Sequence, residues 1–283
     1  MMFVAWVLWQ AQPALPPAPP PPPPPPLHGG NGPMTCPIGG EAFEGWQMGS
    51  YSTYGERPDG RPYSYMPFPF PVPECPGNHL VVFDDFSEAD KAALAKLIVT
   101  PAYARLVADG ETPHYRAFWL ATRLGRPDSQ ALGWLQAALW AETPGRNEGA
   151  DGPNNGARRT RYAAEFVDRV RHLPADTSAR DRLWLTARAA NLLRQKGDFA
   201  GAEALRQDAL SLVGQPDVGD GWEDYLGRLA KVIARRDVSV EPIDMIPTRE
   251  AASYCAEPEK VGLSEQDIRL CKAPDIVKEI AGS

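Results

Sequence analysis

The sequence predicts a mainly α-helical protein built from helix hairpins, with a small N-terminal β and loop module and a disordered proline-rich leader. Helix start and stop signals repeat from residue 86 onward. Prolines, 31 among 283 residues, are concentrated before residue 80, where they disfavour helices. Hydrophobic residues make up 43% of the chain and charged residues 23%, which is typical of a chain that buries a sizeable core.

Residues 1–14 are predicted to be a signal peptide. The apolar stretch Met1–Trp9 is too short to span a bilayer, but it has the length of a signal-peptide core. No Lys or Arg precedes it, and no clean cleavage site follows. Translation from Met34 in the cytosol is therefore the alternative to the periplasmic or secreted location that we favour.

Residues 15–34 are predicted to be a disordered linker. They contain the run Pro16–Pro26, which is broken by a single alanine. Proline has no backbone N–H and a fixed φ, so this run favours extended polyproline II structure of about 3 Å per residue. A stalk that holds the protein away from a membrane or wall is the preferred interpretation, and an SH3-type ligand is the alternative.

Residues 35–85 are predicted to form a cysteine-containing, knuckle-like module in which aromatic residues and prolines alternate. Short strands are expected at Phe43–Met48 and Leu80–Phe83. The stretch "RPDG" predicts a turn, because Pro58 presets φ and Gly60 readily adopts a positive φ. The rings around Phe70 are expected to pack against the helical body, since prolines at this density exclude a central strand.

Residues 86–236 are predicted to be a helical domain with clear caps. Ser87 begins the first helix, and Thr100 and Thr112 each precede a proline that suits the first helical position. Residues 143–156 are rich in helix-breaking residues and are expected to form a flexible connection. The expected helices cover residues 86–98, 100–110, 112–125, 128–142, 157–172, 177–196, 199–213 and 222–235.

The stretch "ARAANLLRQKGDFAGAEALRQDALSLV" resembles a tetratricopeptide repeat. Gly197, Phe199, Ala202 and Ala209 match the glycine, the aromatic residue and the two alanines of that repeat. Arg206 departs from it, because an aromatic residue is usual there. The resemblance implies closely packed helix hairpins whose groove contacts a protein or peptide partner.

The order of the parts also resembles a bacterial family of unknown function, the domain-of-unknown-function group numbered twenty-two twenty-five. The resemblance rests on a Cys-Pro-x-x-Gly segment, a second Cys-Pro before "VVFDDF", and the "LGRP" and "LxxAxW" stretches of the helices. Members carry Cys-Pro-x-Cys-Gly at both places, which implies one bound zinc. Here Cys36 and Cys75 match the first ligand of each motif, whereas Gly39 and Asn78 replace the second. The resemblance implies a fold and partner binding, but no catalytic residue.

If the two turns of this resemblance still face each other, Cys36 and Cys75 are close enough to form a disulfide. We expect this bond to replace the zinc, and it would stabilise the fold by roughly 3–4 kcal/mol. A retained zinc site completed by His79 and His28 is one alternative. Two free buried thiols are the other.

Residues 237–283 are predicted to be a tail that a second disulfide, Cys255–Cys271, staples together. Ser264 can cap a short helix that carries Cys271, and another short helix is expected after Pro274. A redox-active dithiol is disfavoured, because the chain contains no Cys-x-x-Cys motif.

The sequence predicts neither a catalytic site nor a cofactor. The formal charge of −7 argues against a general nucleic-acid binder, and no hydrolase, phosphate-binding or dinucleotide motif is present. His114 is expected at the surface, in the first turn of its helix. Four tryptophans are expected in the core, with a ligand-binding aromatic groove as the alternative: Trp119, Trp134, Trp140 and Trp184.

The predicted function is therefore that of a non-enzymatic binding or scaffold protein of the bacterial envelope or periplasm, with a protein or peptide partner and no transmembrane helix. One alternative is a cytosolic zinc- or thiol-dependent regulatory protein that starts at Met34. Another is an enzyme whose site is built from dispersed residues.

Overall fold

In the computed structural model the protein is mainly helical, with a small N-terminal β module, which confirms the predicted fold class. The structure describes residues 28–146 and 156–282. The predicted signal peptide, the proline run and most of the loop at 143–156 lie outside these ranges. None of the helices in these ranges combines the length and apolar character that crossing a bilayer requires.

The module contains one antiparallel pair of strands, β1 (Gly30–Thr35) and β2 (Ala42–Gln47). Strand β2 confirms the prediction for residues 43–48 to within one residue. The strand predicted at Leu80–Phe83 is wrong: only an isolated bridge joins Val81 to Glu74. The linker predicted to extend to residue 34 ends before residue 30, where β1 begins. The sequence of β1 is glycine-rich and carries no strand pattern of its own, but β2 supplies its hydrogen-bond partners.

The helical region begins as the caps predict. Ser87 forms a capping box with Asp90, and the Thr100 and Thr112 hydroxyl groups accept hydrogen bonds from the amides three residues later. The helices of this region are α1 (Glu88–Leu97), α2 (Pro101–Ala108), α3 (Pro113–Arg123), α4 (Asp128–Ala141), α5 (Gly156–Arg171), α6 (Ala179–Lys196), α7 (Phe199–Leu210) and α8 (Trp222–Ala234).

From α3 to α8 each helix packs against the next, and α6 also touches the alternate helices α4 and α8. These three helices therefore form one layer, which we call the inner layer. The most extensive of these helix contacts is between α6 and α7. Ala190 and Ala202 are fully buried there, so that small side chains allow the two helices to approach.

The module and the first helices share one hydrophobic core. Cys36 and Cys75 are buried with Leu94 of α1, Tyr103 of α2 and Leu120 of α3. The cysteine-containing module therefore packs directly on the first helices.

The predicted turn Arg57–Gly60 forms, with Gly60 at φ +81° and its amide bonded to the Arg57 carbonyl, but all four of its residues are buried. It inserts into the inner layer. From α6, Arg188 donates to the Pro58 carbonyl at 2.8 Å, and from α8 the Tyr225 hydroxyl donates to the same oxygen at 2.7 Å.

Donors from α4 satisfy the next carbonyl of the turn. The Gln136 amide and the Trp140 indole N–H both donate to the Asp59 carbonyl, at 2.5 and 3.1 Å. Within the turn, Arg57 and Asp59 form a two-point ion pair, with Nε–Oδ1 3.1 Å and Nη2–Oδ2 2.5 Å. The buried charges are thus compensated locally.

The electrostatics of the turn favour an ionised Asp59. Burial alone would raise the pKa of its carboxyl, but the Arg57 charge and the hydrogen bonds from Arg57 and the Arg61 amide outweigh burial. The pKa therefore lies below its ordinary value of 3.8.

The tail contains three helices, α9 (Thr248–Ala256), α10 (Glu265–Leu270) and α11 (Pro274–Gly282). The predicted cap at Ser264 and the helix after Pro274 are confirmed, whereas α9 was not predicted. Buried Glu241 joins the tail to the body, accepting hydrogen bonds from the Tyr63 hydroxyl and the Arg146 amide, each at 2.7 Å. Burial, and then the charge of Glu241, raise the pKa of Tyr63 above its ordinary value.

We predict that Asp59→Asn destabilises the fold by about 3–5 kcal/mol, because it removes the carboxylate that forms the two-point ion pair with the buried Arg57 guanidinium. Since the folded-state pKa of Asp59 is depressed, its contribution is complete above pH 3.8 and is lost as the pH falls through the lower folded-state value. Urea denaturation at pH 7 and at pH 2–3 measures both effects.

The control variant is Asp176→Asn, at an exposed position. A loss below about 0.5 kcal/mol for Asp59→Asn at pH 7, equal to that of the control, would contradict the assigned role of the turn.

Candidate binding groove

The two cysteine turns face each other and have the same backbone pattern. The Cys36 amide donates to the Glu41 carbonyl, and the Cys75 amide donates to the Leu80 carbonyl. In each turn the residue four after the cysteine has a positive φ: Gly40 at +70° and His79 at +58°. The local sequence therefore specifies two matching turns although the two stretches differ.

The turns are joined by a disulfide and by direct hydrogen bonds. Cys36 and Cys75 are bonded, with a Cα–Cα distance of 5.6 Å. The Asn78 amide, at the position where the family resemblance expects a second cysteine, donates to the Ile38 carbonyl at 2.9 Å. In the tail, Cys255 and Cys271 are also bonded, with a Cα–Cα distance of 5.5 Å. The two predicted pairs are thus the pairs that the structure brings together.

The histidines weighed as zinc ligands have other partners. His79 Nδ1 lies 2.7 Å from the Glu74 carboxylate, which also binds Arg116 at 2.5 Å. His28 lies against the ring of Tyr65. Within residues 28–146 and 156–282, no group of three or more His, Cys, Asp or Glu side chains is arranged to hold a metal ion.

An apolar groove of about 350 Å³ lies where the module meets the helices, and we call it the aromatic groove. One wall is the segment Phe68–Pro73, and the end of β2 adds Trp46 beside it. The floor comes from the helices, with Trp134 and Trp140 of α4. No Asp, Glu, Lys or Arg among the described residues lines the groove.

The rings of the wall support one another. Trp46 stacks on Phe70 with ring centres 5.0 Å apart, and Tyr51 meets Phe70 edge-on at 4.9 Å. Phe68 lies 4.4 Å from Phe70. Tyr51 is 42% exposed and Met48 55%, so the apolar surface is open to a ligand.

Two hydrogen bonds hold residues of the groove in place, one to the wall and one to the buried turn. His114 is buried at the start of α3, and its Nε2–H donates to the Phe70 carbonyl at 2.8 Å. The prediction of a surface His114 is therefore wrong, because the proline-rich segment covers this helix start. Burial lowers the pKa of His114 and so favours its neutral ring. A neutral His114 adds no charge to the groove. On α4, the Trp140 indole is held by the buried turn.

The four tryptophans expected in the core are all only partly buried. Trp134 and Trp140 line the aromatic groove, which is the alternative weighed from the sequence. Trp119 lies elsewhere, under the guanidinium of Arg123 at 3.4 Å. Sequence analysis did not identify Trp46 as a candidate binding residue. Its position in a predicted strand next to a cysteine turn could have indicated it.

The hairpin groove expected to contact a partner contains the chain's own turn. Arg57–Gly60 is buried among α4, α6 and α8, and Glu56 is bound by Arg188 at 2.8 Å. The aromatic groove is therefore the better candidate for a binding surface among the described residues. No known protein family, curated protein or solved structure matches the chain.

We predict that removing the Cys36–Cys75 bond by a double serine substitution costs about 4 kcal/mol, and that removing Cys255–Cys271 costs about 3 kcal/mol. The reason is the longer loop that the first bond closes, with a sequence separation of 39 against 16. Urea denaturation of the two double variants gives the comparison. Four titratable thiols in unreduced, denatured protein, or a larger loss from the second pair, would refute the prediction.

Proposed function

We propose that this protein is a non-catalytic binding protein of the bacterial envelope whose aromatic groove holds an extended, proline-rich segment of polypeptide. The observation that carries the proposal is an open apolar groove, lined by aromatic rings and prolines and free of charged side chains among the described residues. Such a surface suits a ligand that needs no ion pair.

The rings favour polyproline II over other peptide conformations. Polyproline II is extended before it binds, so that it loses little conformational entropy, and its pyrrolidine rings pack on aromatic surfaces. A proline run also has no N–H donors. An uncharged, apolar wall would leave the N–H groups of other peptides unsatisfied. Stacked rings such as Trp46 and Phe70 provide such a surface at low entropic cost, because they already support each other.

The exported location is part of the proposal. Two cysteine pairs at disulfide distance fit an oxidising compartment. A chain that started at Met34 would lack Gly30–Pro33, which is most of strand β1, and the pairing of those residues with β2. The helix hairpins, with their resemblance to a tetratricopeptide repeat, serve in this proposal as the scaffold that holds the groove.

We predict that decaproline binds the protein saturably, with affinity in the micromolar to millimolar range, and that Trp46→Ala and Phe70→Ala each weaken binding at least tenfold. Each substitution removes an aromatic contact of the kind that typically supplies more than 1 kcal/mol at a binding surface. Fluorescence anisotropy of a labelled decaproline, titrated with the protein, measures the affinity.

A Gly-Ser decapeptide is the control ligand, and Tyr54→Ala is the control variant, because Tyr54 is an exposed aromatic residue outside the groove. Equal binding of the two peptides would overturn the proposal, as would equal losses in the Trp46 and Tyr54 variants.

For the location, we predict that peptide mapping of the periplasmic or secreted fraction finds the protein there, with an N-terminus before or inside the proline run. The physical basis is the apolar stretch of signal-peptide length and the oxidising conditions that disulfides need. Recovery from the cytosol alone, beginning at Met34, is the contrary result.

A further inference from the structure

The described chain begins at the edge of the aromatic groove. His28 contacts the Tyr65 ring, with ring centres 5.7 Å apart. The next residue, Gly29, passes so close to Trp46 that a Cβ atom there would lie 2.8 Å from the indole ring. Only Leu27 separates His28 from the run Pro16–Pro26. The proline run is therefore attached within a few residues of Trp46, one of the rings that line the groove.

The run has the chemistry that the groove suits. It carries no charge, and among its residues only Ala18 has a backbone N–H. In polyproline II its eleven residues would span about 34 Å at about 3.1 Å each. Gly29, at φ +123°, stands between the run and strand β1, where glycine allows the chain to change direction.

We infer that the segment Pro16–Pro26 occupies the aromatic groove of its own molecule, an inference that rests on the proposed function. The short connection gives the segment an effective concentration in the millimolar range at the groove. Even a weak intrinsic affinity then keeps the groove filled, so that an external proline-rich ligand must displace the chain's own run.

The first experiment locates the segment in the full-length protein. Ala18 is replaced by the photo-crosslinking residue p-benzoylphenylalanine, and the crosslinked peptides are mapped by mass spectrometry in a mixture of ¹⁵N-labelled and unlabelled protein. We expect crosslinks within one molecule to the peptides that contain Trp46 or Phe68–Phe70. Crosslinks mainly between labelled and unlabelled chains would overturn the inference in favour of exchange between two copies, and crosslinks elsewhere would overturn it altogether.

The second experiment separates this inference from the proposed function. The full-length triple variant Pro20→Gly, Pro22→Gly, Pro24→Gly keeps the length of the segment but removes its polyproline preference. We expect it to bind decaproline at least tenfold more tightly than the natural sequence does, whereas the control Leu15→Gly, outside both the run and the predicted signal peptide, leaves the affinity unchanged.

Equal saturable binding by the natural protein and the triple variant would overturn the occupation by the chain's own segment and leave the proposed function standing. Failure of both proteins to bind decaproline above the Gly-Ser control would overturn the proposed function itself.

Discussion

The burial of one charged turn between alternate helices is the constraint on which the rest of the structure depends. A turn normally lies at the surface, because its carbonyl groups need water. Here the Pro58 and Asp59 carbonyls receive donors from α4, α6 and α8, and the Asp59 charge is balanced within the turn by Arg57. Because one turn bonds to three helices of a layer, it sets their spacing and joins the module to the body. It also fills the face that a helical scaffold would otherwise offer to a partner.

The same turn also helps to hold the aromatic groove in place. The Asp59 carbonyl accepts the Trp140 indole N–H, so the turn that bonds to the inner layer also orients a ring of the groove floor. On the other side, neutral His114 holds the Phe70 carbonyl. Rings that are fixed before a ligand arrives lose little entropy when it binds. In the proposed function, this preorganisation would let a groove without charged groups favour one class of ligand.

Features encoded by neighbouring residues could be predicted, and features that depend on distant residues could not. The caps at Ser87 and Thr112 are local, and both helices begin there. The sequence pattern at Arg57–Gly60 predicts a backbone conformation only. It does not indicate which residues pack on the turn, so the burial of the turn could not be predicted. Helix α9 has no side-chain cap, because Pro247 precedes it. The groove joins rings that lie far apart in the chain, and only the fold brings Trp46 to α4.

The segment that carries the rings is held at both ends. Its N-terminal end follows Gly60, which the inner helices hold, and its C-terminal end leads into Cys75, which the disulfide holds. These two constraints act on different states, because a disulfide mainly restricts the unfolded chain whereas the buried turn stabilises the folded one. Between them, closely spaced prolines fix φ and leave the unfolded segment few conformations to lose. A short stretch without helix or ladder can therefore present Phe68 and Phe70 in one arrangement, because its held ends, its prolines and the His114 bond to the Phe70 carbonyl restrict it.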